Sequence, residues 1–150
     1  ELWPTGINGF KATALQTIDI ADKLTLKILE KFDTILDSGN TLVDAHITPY
    51  NTTRVIHYPA MKPTEDNMLR IGEHSDYGTI TLLLQRWTND YFKSTRHRVN
   101  NGYCHVPRHS MPHFVDPAPG TIVENLLKEP NHYDPIESKE YLMWRLSQSY

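Results

Sequence analysis

The sequence has little cysteine, no surplus of positive charge and no long apolar run, and each shortage excludes a class of protein. Its 150 residues include one cysteine, Cys104, so no internal disulfide forms, which is typical of a reducing, cytoplasmic compartment. A net charge of −3 indicates no nucleic-acid partner. No run approaches the roughly 18 apolar residues that span a membrane, and no signal peptide opens the chain. The length favours one domain.

Two metal-ligating side chains stand close together in residues 70–85. His74 and Asp76 are two positions apart, and in an extended segment residues at this spacing point to the same face. The β-branched and aliphatic residues 79–84 that follow are expected to form a buried strand. An imidazole beside a carboxylate is two thirds of the facial triad that holds non-haem Fe(II), which also requires a second histidine.

A second histidine, a guanidinium and a hydroxyl follow in a predicted hairpin. Asn101-Gly102 favours a two-residue turn, which would pair His97 with Val106. Paired and alternate residues keep to one face, so His97, Arg108 and Ser110 are expected to share a cavity. Because arginine binds carboxylates in a bidentate manner, this cavity suits a small acid that chelates a metal at its other end.

Four stretches in this order resemble the C-terminal part of an Fe(II)/2-oxoglutarate-dependent dioxygenase of the isopenicillin N synthase-like family. They are residues 54–59 (RVIHYP), 74–78 (HSDYG), 88–99 (TNDYFKSTRHRV) and 108–112 (RHSMP). With the flanking helices, the resemblance covers nearly the whole chain. It implies a mainly β fold with flanking helices, the double-stranded β-helix or jelly roll.

The resemblance also implies the roles of individual residues. Fe(II) would be ligated by His74, Asp76 and His97. The distal carboxylate of 2-oxoglutarate would be bound by Arg108 and Ser110, and Tyr58 would contact this cosubstrate near the metal. The implied activity is the oxidation of a small organic molecule by O2 with decarboxylation of 2-oxoglutarate to succinate, and ascorbate would serve as reductant.

Two alternatives remain open from the sequence. The first is a catalytically inactive jelly-roll remnant that binds metal weakly or acts as a partner module. The second is a zinc hydrolase that uses the same two histidines and aspartate, since zinc also accepts these ligands. The hydrolase leaves the Arg-x-Ser spacing of Arg108 and Ser110 without a role. Neither the substrate nor the oligomeric state can be read from the sequence.

The chain departs from the family pattern after Gln85. In the family roughly thirty further residues precede the Trp-Thr-Asn stretch, whereas here Gln85 is joined directly to Arg86. Residues 1–150 are therefore expected to form a dioxygenase domain that lacks the N-terminal region and about three core strands. An incomplete jelly roll exposes unpaired strand edges, which lowers stability and promotes association.

Helical and strand patterns flank the motifs. Residues 12–36 are expected to form a helix that ends at Ser38-Gly39-Asn40 and faces a sheet; its apolar stripe comprises Ala21, Leu24, Ile28, Phe32 and Ile35. Residues 52–58 form a predicted strand. A last helix is expected to run to about Ser149, with Asp134 as N-cap and Glu137 as the capping-box glutamate, burying Tyr141, Leu142 and Trp144.

Overall fold

The structure, a computed structural model, describes residues 3–48, 50–60, 70–99 and 105–148, apart from the side chains of residues 81 and 82. Helices in this part of the chain are α1 (Phe10–Leu36), α2 (Thr41–Asp44), α3 (Leu84–Trp87) and α4 (Ser138–Ser147), and a π-helical segment (Thr79–Leu83) leads into α3. Strands are β1 (Thr52–Thr53), β2 (Ile56–Tyr58), β3 (Ile71–His74), β4 (His97–Val99), β5 (Arg108–Ser110), β6 (His113–Phe114), β7 (Ile122–Val123) and β8 (Ile136–Glu137). Among the described residues, no helix has the length and apolar character that a bilayer crossing requires.

The described strands pair as four antiparallel two-stranded ladders, β1–β6, β2–β5, β3–β4 and β7–β8. The first two ladders follow one another along the same two segments, and the Arg54 N–H donates to the Pro112 carbonyl between them at 3.0 Å. The predicted pairing of His97 with Val106 is wrong, because β4 pairs with β3 and β5 pairs with β2. The predicted turn at Asn101-Gly102 lies outside the described residues.

The strand predicted at residues 79–84 is wrong, since this segment is helical. The Thr79 N–H donates to the Val115 carbonyl at 2.6 Å, and the Leu83 N–H donates to the Gly78 carbonyl at 3.3 Å. A buried backbone must satisfy its polar groups, and a strand does so through a neighbouring strand. A helical winding bonds its backbone internally, so Thr79, Leu83 and Leu84 are buried without a ladder partner among the described strands.

Helix α1 confirms the predicted helix but not its predicted inner face. The residues that it buries are Thr25, Leu29, Asp33 and Leu36, whereas Leu24 is 56% exposed and Ile35 is 64% exposed. Each buried position lies one residue beyond a predicted one, which corresponds to a rotation of about 100°.

A buried carboxylate explains the rotation of α1. Asp33, 2% exposed, accepts the backbone N–H groups of Leu42 and Val43 at 3.0 Å each and the Ser38 hydroxyl at 2.6 Å. The two backbone donors belong to the first turn of α2, so the carboxylate caps that helix. Since a buried carboxylate needs such partners, Asp33 faces inward, and Leu24 and Ile35 of the predicted stripe face outward.

The apolar core lies between the helices and the β7–β8 ladder. Its buried members are Leu29, Leu36, Leu42, Leu83, Leu84, Trp87, Val123 and Tyr141. His46, 3% exposed, joins two elements at its edge, because one ring nitrogen is 2.6 Å from the Leu42 carbonyl and the other is 2.6 Å from the Thr79 hydroxyl. Burial lowers the pKa of His46 below its usual value.

Helix α4 begins later than predicted. Glu137 is the N-cap residue itself, and its carboxylate accepts the backbone N–H groups of Lys139 and Glu140. These bonds, first that from Lys139, lower the pKa of Glu137 to about 2. Asp134 therefore does not cap the helix. Of the side chains predicted to be buried, Tyr141 is 4% exposed whereas Trp144 is 53% exposed.

Candidate metal centre

The β3–β4 ladder brings together the three residues of the predicted triad. His74 is directly opposite His97 in the register, and Asp76 follows two residues after the end of β3. The His74 Nε2 lies 3.7 Å from the Asp76 Oδ1, and the His97 Nε2 lies 3.6 Å from the Asp76 Oδ2. Each residue offers one ligand atom within 4.8 Å of the other two.

Both imidazoles are oriented by the chain that precedes them. The Nδ1 of His74 is 2.8 Å from the Gly72 carbonyl, and the Nδ1 of His97 is 3.1 Å from the Thr95 carbonyl. A carbonyl oxygen can only accept, so each Nδ1 carries the proton and donates it. In the neutral imidazole this leaves the Nε2 lone pair free for a cation, and a backbone partner of this kind is usual for metal-ligating histidines.

The donor set fits a divalent transition metal. Nitrogen and oxygen ligands about 2.1 Å from a metal are roughly 3.0 Å apart when they occupy adjacent octahedral positions. The separations of 3.6 and 3.7 Å require a closure of well under 1 Å. Two neutral imidazoles and one carboxylate are the ligands of the non-haem Fe(II) triad, which leaves other positions open.

The side chains predicted to bind an acid lie on one face of the β2–β5 ladder. Tyr58 is opposite Arg108, and Ile56 is opposite Ser110, so these four residues share a face. The Arg108 guanidinium lies over the Tyr58 ring, 4.5 Å from its centroid, and Arg108 is exposed. The structure thus places Arg108, Ser110 and Tyr58 together beside Ile56, which lines the cavity described next.

A cavity of about 310 Å³ opens next to His74 and Asp76. Its other walls are formed by residues that the sequence analysis did not assign to the site, namely Thr52, Arg54, Ile56, Ile71, Ser75, Tyr77, Gly78, Phe114, Asp116, Leu142 and Leu146. A signal for some of them was present in the sequence. Arg54 and Ile56 alternate with Tyr58 along one strand, and Phe114 and Asp116 continue the alternation that begins at Arg108.

The opposite face of the β2–β5 ladder carries a separate pair of histidines. His57 is opposite His109, and their rings stack with centroids 4.6 Å apart. Successive residues of a strand point to opposite faces, so this pair is directed away from Tyr58 and Arg108. His57 therefore does not join the triad.

Comparison with known proteins identifies relatives with related names and a related fold. No family model matches the chain. The 2-oxoglutarate-Fe(II) type oxidoreductase hxnY of Emericella nidulans is 29% identical over 169 aligned positions, which cover 85% of this chain and 46% of that protein. The 2-oxoglutarate-dependent dioxygenase gloF of Glarea lozoyensis is 26% identical and covers 73% of this chain and 49% of that protein.

A solved structure shows the same relationship in three dimensions. A full-length protein of Neurospora crassa, solved in complex with alpha-KG, superposes with a TM-score of 0.82 at 26% identity, covering 97% of this chain and 64% of that one. The chain thus resembles 2-oxoglutarate/Fe(II) oxygenases in sequence and in fold. The jelly-roll fold expected from the sequence is thereby confirmed. The chain spans about half the length of the curated relatives it matches.

Proposed function

We propose that this chain is the catalytic part of an oxygenase that uses Fe(II), 2-oxoglutarate and O2 to oxidise a small organic molecule. The convergence of His74, Asp76 and His97, with both Nδ1 atoms held by backbone carbonyls, carries the proposal. The four electrons that O2 accepts come in equal parts from the substrate and from the oxidative decarboxylation of 2-oxoglutarate. One oxygen atom then enters succinate, and in a hydroxylation the other enters the product.

The three ligands would hold Fe(II) through both Nε2 atoms and the Asp76 carboxylate. Bound Fe(II) supplies the redox chemistry with O2, which no protein side chain provides. The chain's own residues fix the ligand geometry and shield the site. Apolar side chains of Ile56, Phe114 and Leu142 line the cavity and lower its water content, which strengthens the electrostatic interactions inside.

Arg108, Ser110 and Tyr58 would hold 2-oxoglutarate. A guanidinium presents two parallel N–H donors to a carboxylate, and a hydroxyl two residues away on the same face adds a third donor. The Tyr58 ring under the guanidinium limits its rotation. Ascorbate would act as an external reductant that restores Fe(II) after unproductive turnovers.

The proposal also covers the extent and setting of the domain. Residues 1–150 would lack the N-terminal region and about three core strands of an isopenicillin N synthase-like oxygenase. The hxnY alignment supports this, because its 169 positions exceed the 150 residues of this chain, so the relative has residues without a counterpart here. We place the protein in the cytoplasm, acting on a small molecule rather than on nucleic acid or a membrane.

Metal titration and product analysis test the function on the 150-residue chain. We expect Fe(II) to bind with 1:1 stoichiometry, 2-oxoglutarate to bind only in its presence, and succinate to form slowly, since parts of the barrel are absent. Metal binding without succinate would instead favour the inactive remnant. If Fe(II) did not bind at all, the assignment of the triad would be wrong.

A further inference from the structure

The cavity beside the triad contains a carboxylate that the proposed chemistry does not use. Asp116 lines the cavity and is only 7% exposed. Among the described residues, its carboxylate receives no hydrogen bond and no ion pair, and desolvation is the cause that raises its pKa to about 6. Asp116 is therefore still largely ionised slightly above neutral pH, and a buried anion of this kind is costly unless it is paired.

The backbone around Asp116 is held firmly in place. Its N–H donates to the Asn51 Oδ1 at 3.1 Å, and the Asn51 amide donates to Asp22 of α1 at 2.7 Å. The preceding carbonyl, that of Val115, accepts the Thr79 N–H at 2.6 Å. A Cβ added to Gly78 would lie 2.6 Å from the same carbonyl, so only glycine permits this approach. The backbone that carries Asp116 is thus fixed relative to the segment that carries Asp76.

The described part of the cavity wall offers no cation that pairs with Asp116. Arg54 lies over the Phe114 ring, 5.7 Å from its centroid, and within this wall it forms no ion pair with Asp116. The remaining neighbours include Ile56, Ile71 and Leu146, which are apolar. Apart from Asp76 of the triad, a ligand in this cavity therefore meets mainly apolar surface and one buried carboxylate, that of Asp116.

We propose that Asp116 is a specificity-determining residue that binds a protonated amine of the substrate. An ammonium group supplies the charge and the N–H donors that this carboxylate lacks in the described chain, and charge-assisted hydrogen bonds are the strongest of their kind. The apolar walls then hold the carbon skeleton of the amine against the face that carries His74 and Asp76. The inference rests on the proposed function only in taking this cavity as the place where the substrate binds.

A pair of six-membered ring probes tests the proposal on the 150-residue chain. Piperidine is protonated at pH 7.5, whereas tetrahydropyran has the same shape and neither a charge nor a donor. Ligand-observed NMR without added metal should show that the chain binds piperidine at least about tenfold more tightly than tetrahydropyran. In Asp116→Asn, which keeps the shape and removes the charge, the two probes should bind about equally.

Three controls decide whether Asp116 is the group responsible. The preference for piperidine should survive in Asp76→Asn, which alters the other carboxylate of the cavity, and in Asp134→Asn, which alters an exposed one. In the parent chain, piperidine should shift the backbone amide signals of Val115 and Asp116, a result that requires no variant to fold. Equal binding of both probes to the parent, unmoved signals, or a preference that depends on Asp76 would overturn the proposal.

The test separates this inference from the proposed function. Amine binding is measured without metal, so it does not require the triad to bind Fe(II). A chain that binds piperidine through Asp116 but produces no succinate would refute the activity and retain the inference. A chain that produces succinate but binds piperidine and tetrahydropyran equally tightly would support the activity and refute the inference.

Discussion

The helical core and the β3–β4 ladder are stabilised in different ways. The core is built from side chains that are almost fully buried, such as Leu29, Leu42 and Trp87. The triad is far more open, with side-chain exposures of 33% for His74, 31% for Asp76 and 42% for His97. Burial therefore supplies most of the stability, whereas strand register supplies the position of the ligands. Mutations in the helical core should therefore lower stability without changing metal affinity, and mutations in the triad should lower metal affinity without changing stability.

The largest difference between the effect on metal affinity and the effect on stability is expected from Asp76→Asn. Removing a residue that only hydrogen-bonds a metal ligand already costs about 10- to 100-fold in metal affinity. Removing the charge of a ligand itself should therefore lower the affinity by more than roughly a thousandfold. The melting temperature should hardly change, because Asp76 is partly exposed. Calorimetric Fe(II) titration and thermal melts measure both quantities, with Asp134→Asn as control. Near-parent metal affinity in Asp76→Asn would remove Asp76 from the ligand set.

The reverse effect is expected from Leu29→Ala. This side chain is 0% exposed, and large-to-small changes at such sites cost about 2–5 kcal/mol in the free energy of unfolding. Fe(II) affinity should stay at the parent level under conditions where the variant is folded. Leu24→Ala is the matched control, since Leu24 is 56% exposed and its loss should change stability by about 0.5 kcal/mol or less. Similar losses in urea denaturation for both variants would contradict the rotated face of α1.

A smaller effect, on the binding of 2-oxoglutarate alone, is expected from Arg108→Lys in the β2–β5 ladder. A single ammonium cannot present the bidentate fork of a guanidinium, so the affinity for 2-oxoglutarate should fall by about tenfold. Fe(II) affinity should not change, because Arg108 is not among the three ligands. Calorimetry with Fe(II) present measures this, and the exposed Arg98→Lys is the control. If the two variants bind 2-oxoglutarate equally well, Arg108 does not hold its carboxylate.

The smallest effect is expected in the pH dependence of the free energy of unfolding, to which His46 and Asp116 contribute in opposite directions. Burial lowers the folded pKa of His46, so as pH falls below about 6.5 the unfolded state gains protons first and stability decreases. Burial raises the pKa of Asp116 to about 6, so its ionised form costs stability, and this cost decreases as pH falls from about 6 towards the usual pKa of an aspartate. Each slope is at most about 1.4 kcal/mol per pH unit.

Two variants separate these opposing effects. In urea denaturation series from pH 7.5 to 4.5, His46→Gln should remove the loss of stability on acidification. Asp116→Asn should remove the gain. Curves for both variants that run parallel to the parent curve would show that neither side chain changes its protonation on unfolding in this range.

The sequence predicted the convergence of His74, Asp76 and His97 better than it predicted the strands that carry them. His74 and Asp76 could be grouped because a two-residue spacing fixes a shared face, and α1 could be predicted because its periodicity is local. The pairing of His97 with His74 rather than with Val106 is non-local, since a turn signal says nothing about which more distant strand competes. Asp116 was missed because its burial depends on neighbours that are distant in sequence.

Local chemistry in the sequence by itself determined the grouping of the candidate ligands, the long first helix and the residue types of the proposed acid-binding group. Tertiary structure decided where backbone hydrogen bonds are satisfied. Residues 79–83 have the composition of a strand, yet they wind into a π-helix because the described chain offers them no ladder partner. Asp33 likewise turns α1 by one position because its buried carboxylate must meet the N–H groups of α2. Both outcomes depend on partners from elsewhere in the chain, which no local pattern specifies.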